Sequence, residues 1–498
     1  MEQQLPKLIK VNRDRPKKKK ILLLSDDLTM HSGIATMSKE FVIGTAEHYD
    51  WVQIAAGIDH PKHGQFEDFS NSINELLGID HSYVKLYYHN GYGNPPVLRE
   101  IIALEKPDLI LHFTDPRFWG WLYSIEDEIR KYYKIPIAYY NIWDAPPAPL
   151  WNYPFYKSCD LIMNISKQTH ALTKIVLRDE YADLDEGETK KKNTDVLLSY
   201  VPHGINEKMF YPINEDSEVY KDYLKFKEEF YSKNPNANFI VFWNNRNAAR
   251  KQPADVILGF KYFCDKLSKA DAKKCVLLMH TQIIDMHGTD LMSIKQDLCP
   301  DYNVIFSDHP VDTHVMNFFY NVSDVTVNIA NNEGFGLSGA ESLMSGTMII
   351  NNVTGGLQDQ CGFLDEKLNP IKVTKEFVSN HTGKYKNHGS WARPIYPTSR
   401  SLQGSPPTPY IFNDKITFTD LADALFDVYE YGPEARKVRG LEGREFVLSK
   451  ESGMSATEMC NRMKKSIDYL FDTWKPNEKW IVKRAKKYVA PKNMGIVI

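Results

Sequence analysis

The sequence predicts an α/β protein built from two doubly wound domains. One observation is a series of short apolar runs, Ile21–Leu24 and Phe239–Trp243 among them, that suit strands buried on both faces. A second is that helical patterns separate these runs, as in parallel sheets with helical crossovers. A third is that an apolar run leads into a glycine turn and a helical pattern once in each half. Ile21–Leu24 precedes Gly33, and Val325–Ala330 precedes Gly334 and Gly336.

The elements follow in order. Residues 1–20 read as a basic arm carrying Arg13, Arg15 and Lys17–Lys20. The first domain spans 21–210. It opens with the strand Ile21–Leu24, and Ile34, Met37, Phe41 and Val42 mark one face of the following helix. Asp108–Leu111 and Pro136–Tyr140 read as further strands. The charged segment Asp183–Asp195 reads as an exposed loop. Leu197–Ile205 leads out of the domain to a hinge near Tyr211. The second domain spans 211–471, with strands at Phe239–Trp243, Val276–Met279, Val304–Phe306, Val325–Ile329 and Met348–Ile350. Leu421–Leu425 and Arg436–Phe446 read as late helices. An insert at 362–417 is longer than most loops of compact domains, and its prolines and glycines limit regular structure. It reads as a functional loop or as an inert surface excursion. The tail 472–498 reads as a helix with Lys479, Lys483, Arg484, Lys486 and Lys487.

Composition narrows the class. The chain has 498 residues, enough for two or three domains of ordinary size. Apolar and charged fractions of 42% and 25% are those of a soluble globular protein, and the net charge of −3 does not advertise a polyanion partner. No apolar run approaches the roughly 18 residues of a membrane span, and the N-terminus lacks a signal-peptide core. Cys159, Cys264, Cys275, Cys299, Cys361 and Cys460 form no C-x-x-C pair. That spacing fits a reducing, cytoplasmic setting and argues against a zinc site or disulfide framework.

The chemistry concentrates between Glu333 and Glu341, eight residues apart with Gly334, Gly336 and Gly339 between them. A glycine turn lets backbone N–H groups approach a phosphate, and a helix N-terminus adds a favourable dipole. Ionised carboxylates accept hydrogen bonds from hydroxyls. Phosphate donors flanked by hydroxyl acceptors suit a nucleotide sugar. Glu333-Gly334-Phe335-Gly336-Leu337-x-x-x-Glu341 resembles the E-x7-E motif of retaining glycosyltransferases of GT-B fold, family 4 in particular, with Ser338 where those enzymes usually have proline. Asn245-Arg246-x4-Lys251 resembles the family's Gly-Arg-x4-Lys phosphate clamp, with Asn245 and Gln252 in place of glycines.

The resemblance implies two Rossmann-like domains facing across a cleft and a metal-independent hexosyl- or pentosyltransferase using a nucleoside-diphosphate sugar, such as a UDP-sugar. It implies that Glu333 contacts the sugar and that Gly334, Phe335, Gly336 and Leu337 present backbone N–H groups. Glu341 would hold the ribose, and Arg246 and Lys251 the leaving diphosphate. Thr354 and Gly355 resemble the next phosphate turn, or are a plain strand exit. Gly33 resembles the glycine of the N-terminal loop that approaches the donor, with His31 on the acceptor side. Asp144, in Ile142-Trp143-Asp144-Ala145, matches an aspartate of the family's catalytic region, although tryptophan stands where many members have histidine. Asp144 or Asp115 would orient or deprotonate the acceptor hydroxyl, or serve as an ordinary capping residue. Asp26-Asp27 reads as structural or acceptor-facing, not as a metal site. No cofactor and no protein nucleophile are expected. The family's C-terminal tail crosses back onto the first domain.

Three acceptor classes fit: a soluble sugar, a lipid-linked acceptor at a membrane surface, or a hydroxylated base such as 5-hydroxymethylcytosine in DNA, as in phage DNA-modifying glycosyltransferases. The basic arm would track the phosphates of double-stranded DNA, and Trp391, Arg393 and Arg400 of the insert would hold a flipped base. These features tilt the expectation towards DNA. The basic runs also read as solvated faces or as peripheral membrane contacts. A non-catalytic nucleotide-sugar-binding protein of the same fold is the remaining class.

Overall fold

The computed structural model describes residues 17–191 and 195–476. Arg13, Arg15 and the basic tail from Lys479 onward lie outside the described residues. The first domain contains β1 (Lys19–Asp26), β2 (Tyr49–Ala56), β3 (Phe66–Asp68), β4 (Val84–Tyr88), β5 (Leu109–Phe113), β6 (Ile137–Asn141), β7 (Leu161–Asn164), β8 (Tyr181–Asp183) and β9 (Val196–Tyr200). They form one sheet in the order β3-β4-β2-β1-β5-β6-β7-β9-β8, parallel except for the β3–β4 pair. Ile21–Leu24 are fully buried because helices cover both faces of this sheet. Against one face, Phe41 of the helix Gly33–Thr45 packs on Trp51 and Phe113 with ring centroids 5.6 and 5.7 Å away. That helix begins where the Ser32 side chain accepts the Ala35 N–H at 3.1 Å.

The second domain contains β10 (Phe239–Asn244), β11 (Cys275–His280), β12 (Asn303–Ser307), β13 (Val325–Asn328), β14 (Met348–Asn352) and β15 (Ala392–Ile395). All pair in parallel, in the order β12-β11-β10-β13-β14-β15. In both sheets the order reverses beside the first strand of the domain, which opens a crevice at the carboxyl ends of the strands.

Three expectations are corrected. The insert is not an irregular excursion throughout. It supplies β15, which pairs Ile349 with Ala392, and the antiparallel hairpin β16 (Ser399–Ser405) and β17 (Thr408–Lys415). Pro394 is accommodated because β15 is an edge strand, where a missing N–H costs no ladder bond. The crossing tail begins earlier than residue 472. The helix Ala456–Thr473 already packs on the first domain through buried Met459, Cys460, Met463, Ile467 and Leu470, whose spacing of three or four residues makes one face. Ser466 Oγ lies 2.9 Å from Ser199 Oγ, and Tyr49 Oη donates to Asp468 at 2.7 Å. The described part of the basic arm is not free either. Lys19 and Lys20 belong to β1, and Lys18, Lys19 and Lys20 pair with Asp50, Asp108 and Glu105.

Candidate functional site

The carboxyl ends of the two sheets face one another across a cleft of about 1120 Å³. His31, Ser32, Gly33, Asp144 and His203 line it from the first domain. Arg246, Arg250, Lys251, the segment Glu333–Leu337 and Glu341 line it from the second. The loops nearly touch: a Cβ on Gly33 would stand 3.4 Å from Leu337 Cδ1, and one on Gly334 3.0 Å from Ile165 Cδ1.

The glycine turn after β13 is held from behind. Gln360 Nε2 donates to the carbonyls of Phe335 and Gly336 at 2.7 and 2.8 Å. Gly336 has φ +86°, and a Cβ there would stand 2.4 Å from Leu357 Cδ2. Glycine is therefore required on both conformational and steric grounds. With those carbonyls turned inward, the N-terminus of the helix Leu337–Met344 opens on the cleft, an arrangement suited to an anion.

The two glutamates have different surroundings. Glu333 pairs with the Lys251 ammonium, and Arg250 lies 3.8 Å away. Glu341 accepts a 2.6 Å bond from Tyr320 Oη, and burial pushes its carboxyl up to about 7 against that bond. Lys251 ends a short 3-10 turn, Ala249–Lys251, and the next residue, Gln252, adopts φ +56°. A left-handed residue thus stands where the resembled family has glycine. Burial and the Arg250 guanidinium press Lys251 towards its neutral form, while the Glu333 carboxylate beside it favours the ammonium. Arg246 is exposed and bonds Asp285 at 2.8 Å.

Asp144 faces this group from the first domain. Burial raises its pKa, and Arg250 and Lys251 oppose the shift. A Cβ on Gly334 would stand 3.7 Å from Asp144 Cβ, so the two walls meet at these residues. Asp115 is not brought to the cleft. It caps the turn after β5 by accepting the Arg117 N–H at 2.9 Å and pairs with the Arg117 guanidinium. Asp27 is buried and bonded to Thr29 and His60, while the Oδ1 atom of Asp26 is buried without a partner and burial raises that carboxyl to about 6.

Thr354 and Gly355 do not line the cleft. Thr354 Oγ1 donates to Asp414 at 2.9 Å, and a Cβ on Gly355 would stand 1.8 Å from the Glu333 carbonyl. The glycine pair Gly355-Gly356 is there for close backbone packing behind the Glu333 loop, and Gly356 N donates to Glu333 O at 3.0 Å. The three acceptor residues expected in the insert are likewise engaged elsewhere. Trp391 stacks on Phe446 at 4.7 Å and donates to Gln360 O, Arg393 pairs with Asp427, and Arg400 with the buried Asp414.

Sequence reasoning overlooked Arg250 and His203. Arg250 was detectable as a second cation beside Lys251 at the end of a tight turn. His203 had no local signal. It reaches the cleft only because the chain leaving β9 passes under Phe335, and burial holds its imidazole down at about 3, hence neutral. Among the described residues, His170, Asp183 and Asp185 bring ligand atoms within 4.8 Å of one another, but the Lys174 ammonium bonds Asp183 at 2.5 Å and occupies that position. Among the described residues no helix is long and apolar enough to cross a membrane.

No protein-family model matches the sequence, and neither does any curated protein. Solved structures do match. Anabaena Alr3699/HepE in complex with UDP and glucose aligns with a TM-score of 0.57 at 12% identity, over 90% of this chain and 99% of that one. Sucrose-phosphate synthase from Thermosynechococcus elongatus aligns at 0.58 and 15%, over 91% and 100%. The α,α-trehalose 6-phosphate synthase of Burkholderia multivorans aligns at 0.60 and 9%, over 92% and 99%. The likeness spans both domains and gives the chain the GT-B fold.

Proposed function

We propose that the chain is a glycosyltransferase that moves a sugar from a UDP-sugar to a carbohydrate hydroxyl. The observation that carries this reading is the convergence of a helix N-terminus, two carboxylates and the cations Arg246, Arg250 and Lys251 in one interdomain cleft. The backbone N–H groups at Gly336 and Leu337 and the cations receive the diphosphate. As the sugar leaves, negative charge grows on the β-phosphate. Fixed cations in a partly desolvated cleft stabilise that charge more than the ground state. Glu341 accepts bonds from the ribose hydroxyls and Glu333 from the sugar. Asp144, on the opposite wall, orients the acceptor hydroxyl. Retention of anomeric configuration follows from the E-x7-E resemblance to family 4, in which no protein nucleophile is needed. The protein's own cations serve the leaving group, so a divalent metal is not required, and the buried free cysteines fit a reducing compartment such as the cytoplasm.

Two observations favour a carbohydrate acceptor. The sucrose-phosphate and trehalose 6-phosphate synthases are named for sugar-phosphate products. Of the residues that favour a DNA base, Lys19, Lys20, Arg393 and Arg400 are occupied in ion pairs and Trp391 in packing. The test is transfer from labelled UDP-sugars to acceptor sets of sugars, sugar phosphates and duplex DNA containing 5-hydroxymethylcytosine, with and without EDTA. Product on a sugar, insensitive to EDTA and retaining by NMR, is expected. Product on DNA alone would overturn the acceptor reading, and UDP binding with neither transfer nor hydrolysis would favour a binding protein. Asp144→Asn should lower transfer while leaving UDP affinity unchanged.

A further inference from the structure

The hairpin β16–β17 touches both domains, and it does so beside the loops that carry Glu333 and Asp144. On the second domain, Asp414 N donates to Asn331 O at 3.1 Å, and Asn332 Nδ2 donates to Phe412 O. Asn331 and Asn332 immediately precede Glu333. On the first domain, Phe412 N donates to Pro146 O at 2.7 Å, two residues after Asp144. Tyr410 stands edge-on to Trp151 with centroids 4.5 Å apart, and its hydroxyl donates to Ala148 O at 3.4 Å. Arg117 donates to Pro407 O and Thr408 Oγ1 at the hairpin tip. The base of the hairpin is anchored by the buried Asp414, which Arg400 and Thr354 both bond.

Phe412 is therefore a link of one residue between the two walls: its N–H reaches the Asp144 loop, and its carbonyl reaches the Glu333 loop. We propose that the hairpin is a strap that ties these loops together. Phe412 and Tyr410 act as positioning residues that set the spacing between acceptor and donor. Neither residue lines the cleft. A two-stranded ribbon has little stability of its own, so its order comes from the surfaces it joins. A second tie runs from Gln358 to Gln168 at 3.0 Å and on to Asp144 O at 3.3 Å. With that tie intact, loss of the strap loosens the spacing without separating the domains. A misplacement near 1 Å costs up to about 100-fold in rate when reacting groups must be held in line.

The effect on turnover rests on the glycosyltransferase reading, whereas the effect on domain spacing does not. Two variants test it: replacement of residues 402–412 by Asn-Gly, which keeps the Ser401–Asn413 pair and the Arg400–Asp414 anchor, and the point variant Tyr410→Ala. All six native cysteines are buried, so cysteines introduced at the exposed Leu104 and Leu298 take paired fluorescent labels across the domains. The shortened hairpin should broaden the inter-label distance distribution, keep UDP affinity within about threefold and lower transfer from UDP-glucose by about 100-fold; Tyr410→Ala should do the same to a smaller degree. Unchanged distances, unchanged transfer in a chain that does transfer, or loss of UDP affinity would overturn the proposal. If the shortened variant does not fold, Tyr410→Ala decides by the same readings. A parent chain that turns over no UDP-sugar refutes the transfer reading, and the distances alone then decide the strap.

Discussion

At the scale of the residue, burial moves both Glu341 and Lys251 away from the ionisation of their free side chains. The Glu341 carboxyl is raised from 4.5 to about 7 by burial. The unfolded chain therefore releases this proton first, and between those values the native state holds the extra proton. Native stability should decline as pH rises through that window. In the proposed donor site binding has the opposite sign, because a ribose hydroxyl held by Glu341 needs the ionised carboxylate as acceptor. UDP affinity should weaken as pH falls through about 7, and Glu341→Gln should flatten both profiles, read by titration calorimetry and by melting across pH. Lys251→Met keeps the volume and removes the cation. Transfer is expected to fall about 10²- to 10³-fold, the size of effect seen when one fixed electrostatic group at a reacting centre is removed. An unchanged kcat would remove Lys251 from the leaving-group role.

At the scale of the element, the glycine turn depends on its backing. Gly355 has φ +49°, and its α-carbon sits against the Glu333 carbonyl, so Gly355→Ala should displace that loop. A loss of about 1–3 kcal/mol is expected from overpacking and strain, together with weaker UDP binding, measured by denaturant unfolding and calorimetry. Gln360→Leu leaves the Phe335 and Gly336 carbonyls without their donor and should cost about 1–3 kcal/mol. The turn and its following helix were legible in the sequence because strand, glycine and helix are adjacent there. The backing was not. Thr354-Gly355-Gly356 looked like a second phosphate turn because glycines permit close approach, and a sequence does not say whether a phosphate or another backbone is what approaches. In the same way, Pro394 and its neighbours disguised an edge strand as a loop.

At the scale of the whole molecule, the chain passes from the first domain to the second and returns through the helix Ala456–Thr473. Ile205 N donates to Met454 O, and Ala456 N donates to Ile205 O, so the exit and the return are bonded to each other. Each fully buried apolar side chain of the returning helix contributes about 1.5–3 kcal/mol, so Met459, Met463, Ile467 and Leu470 together contribute about 6–12 kcal/mol, comparable to the whole margin of an ordinary domain, about 5–15 kcal/mol. A chain ending at residue 455 should lose cooperative folding of the first domain. Pulsed proteolysis should then find that domain cleaved while the second domain survives. Resistance of both halves would show that the returning helix is dispensable.

By itself the sequence determined the two-sheet α/β plan and the placement of the Glu333–Glu341 turn and the Arg246–Lys251 turn, because apolar periodicity and turn chemistry act between neighbours in the chain. Only the tertiary structure decided which charges remain available. Arg393, Arg400 and Lys18–Lys20 look alike as solvated cations in sequence, yet each finds a carboxylate, Arg400 on the facing strand of its own hairpin and the others on segments further along the chain. Asp115 and Asp144 are equivalent as loop aspartates. One, after β5, is paired with Arg117, and the other, after β6, is half-buried opposite Arg250 and Lys251. The lysine and arginine pairings form only when each domain folds and brings its segments together, and Asp144 meets Arg250 and Lys251 only once the two domains face one another.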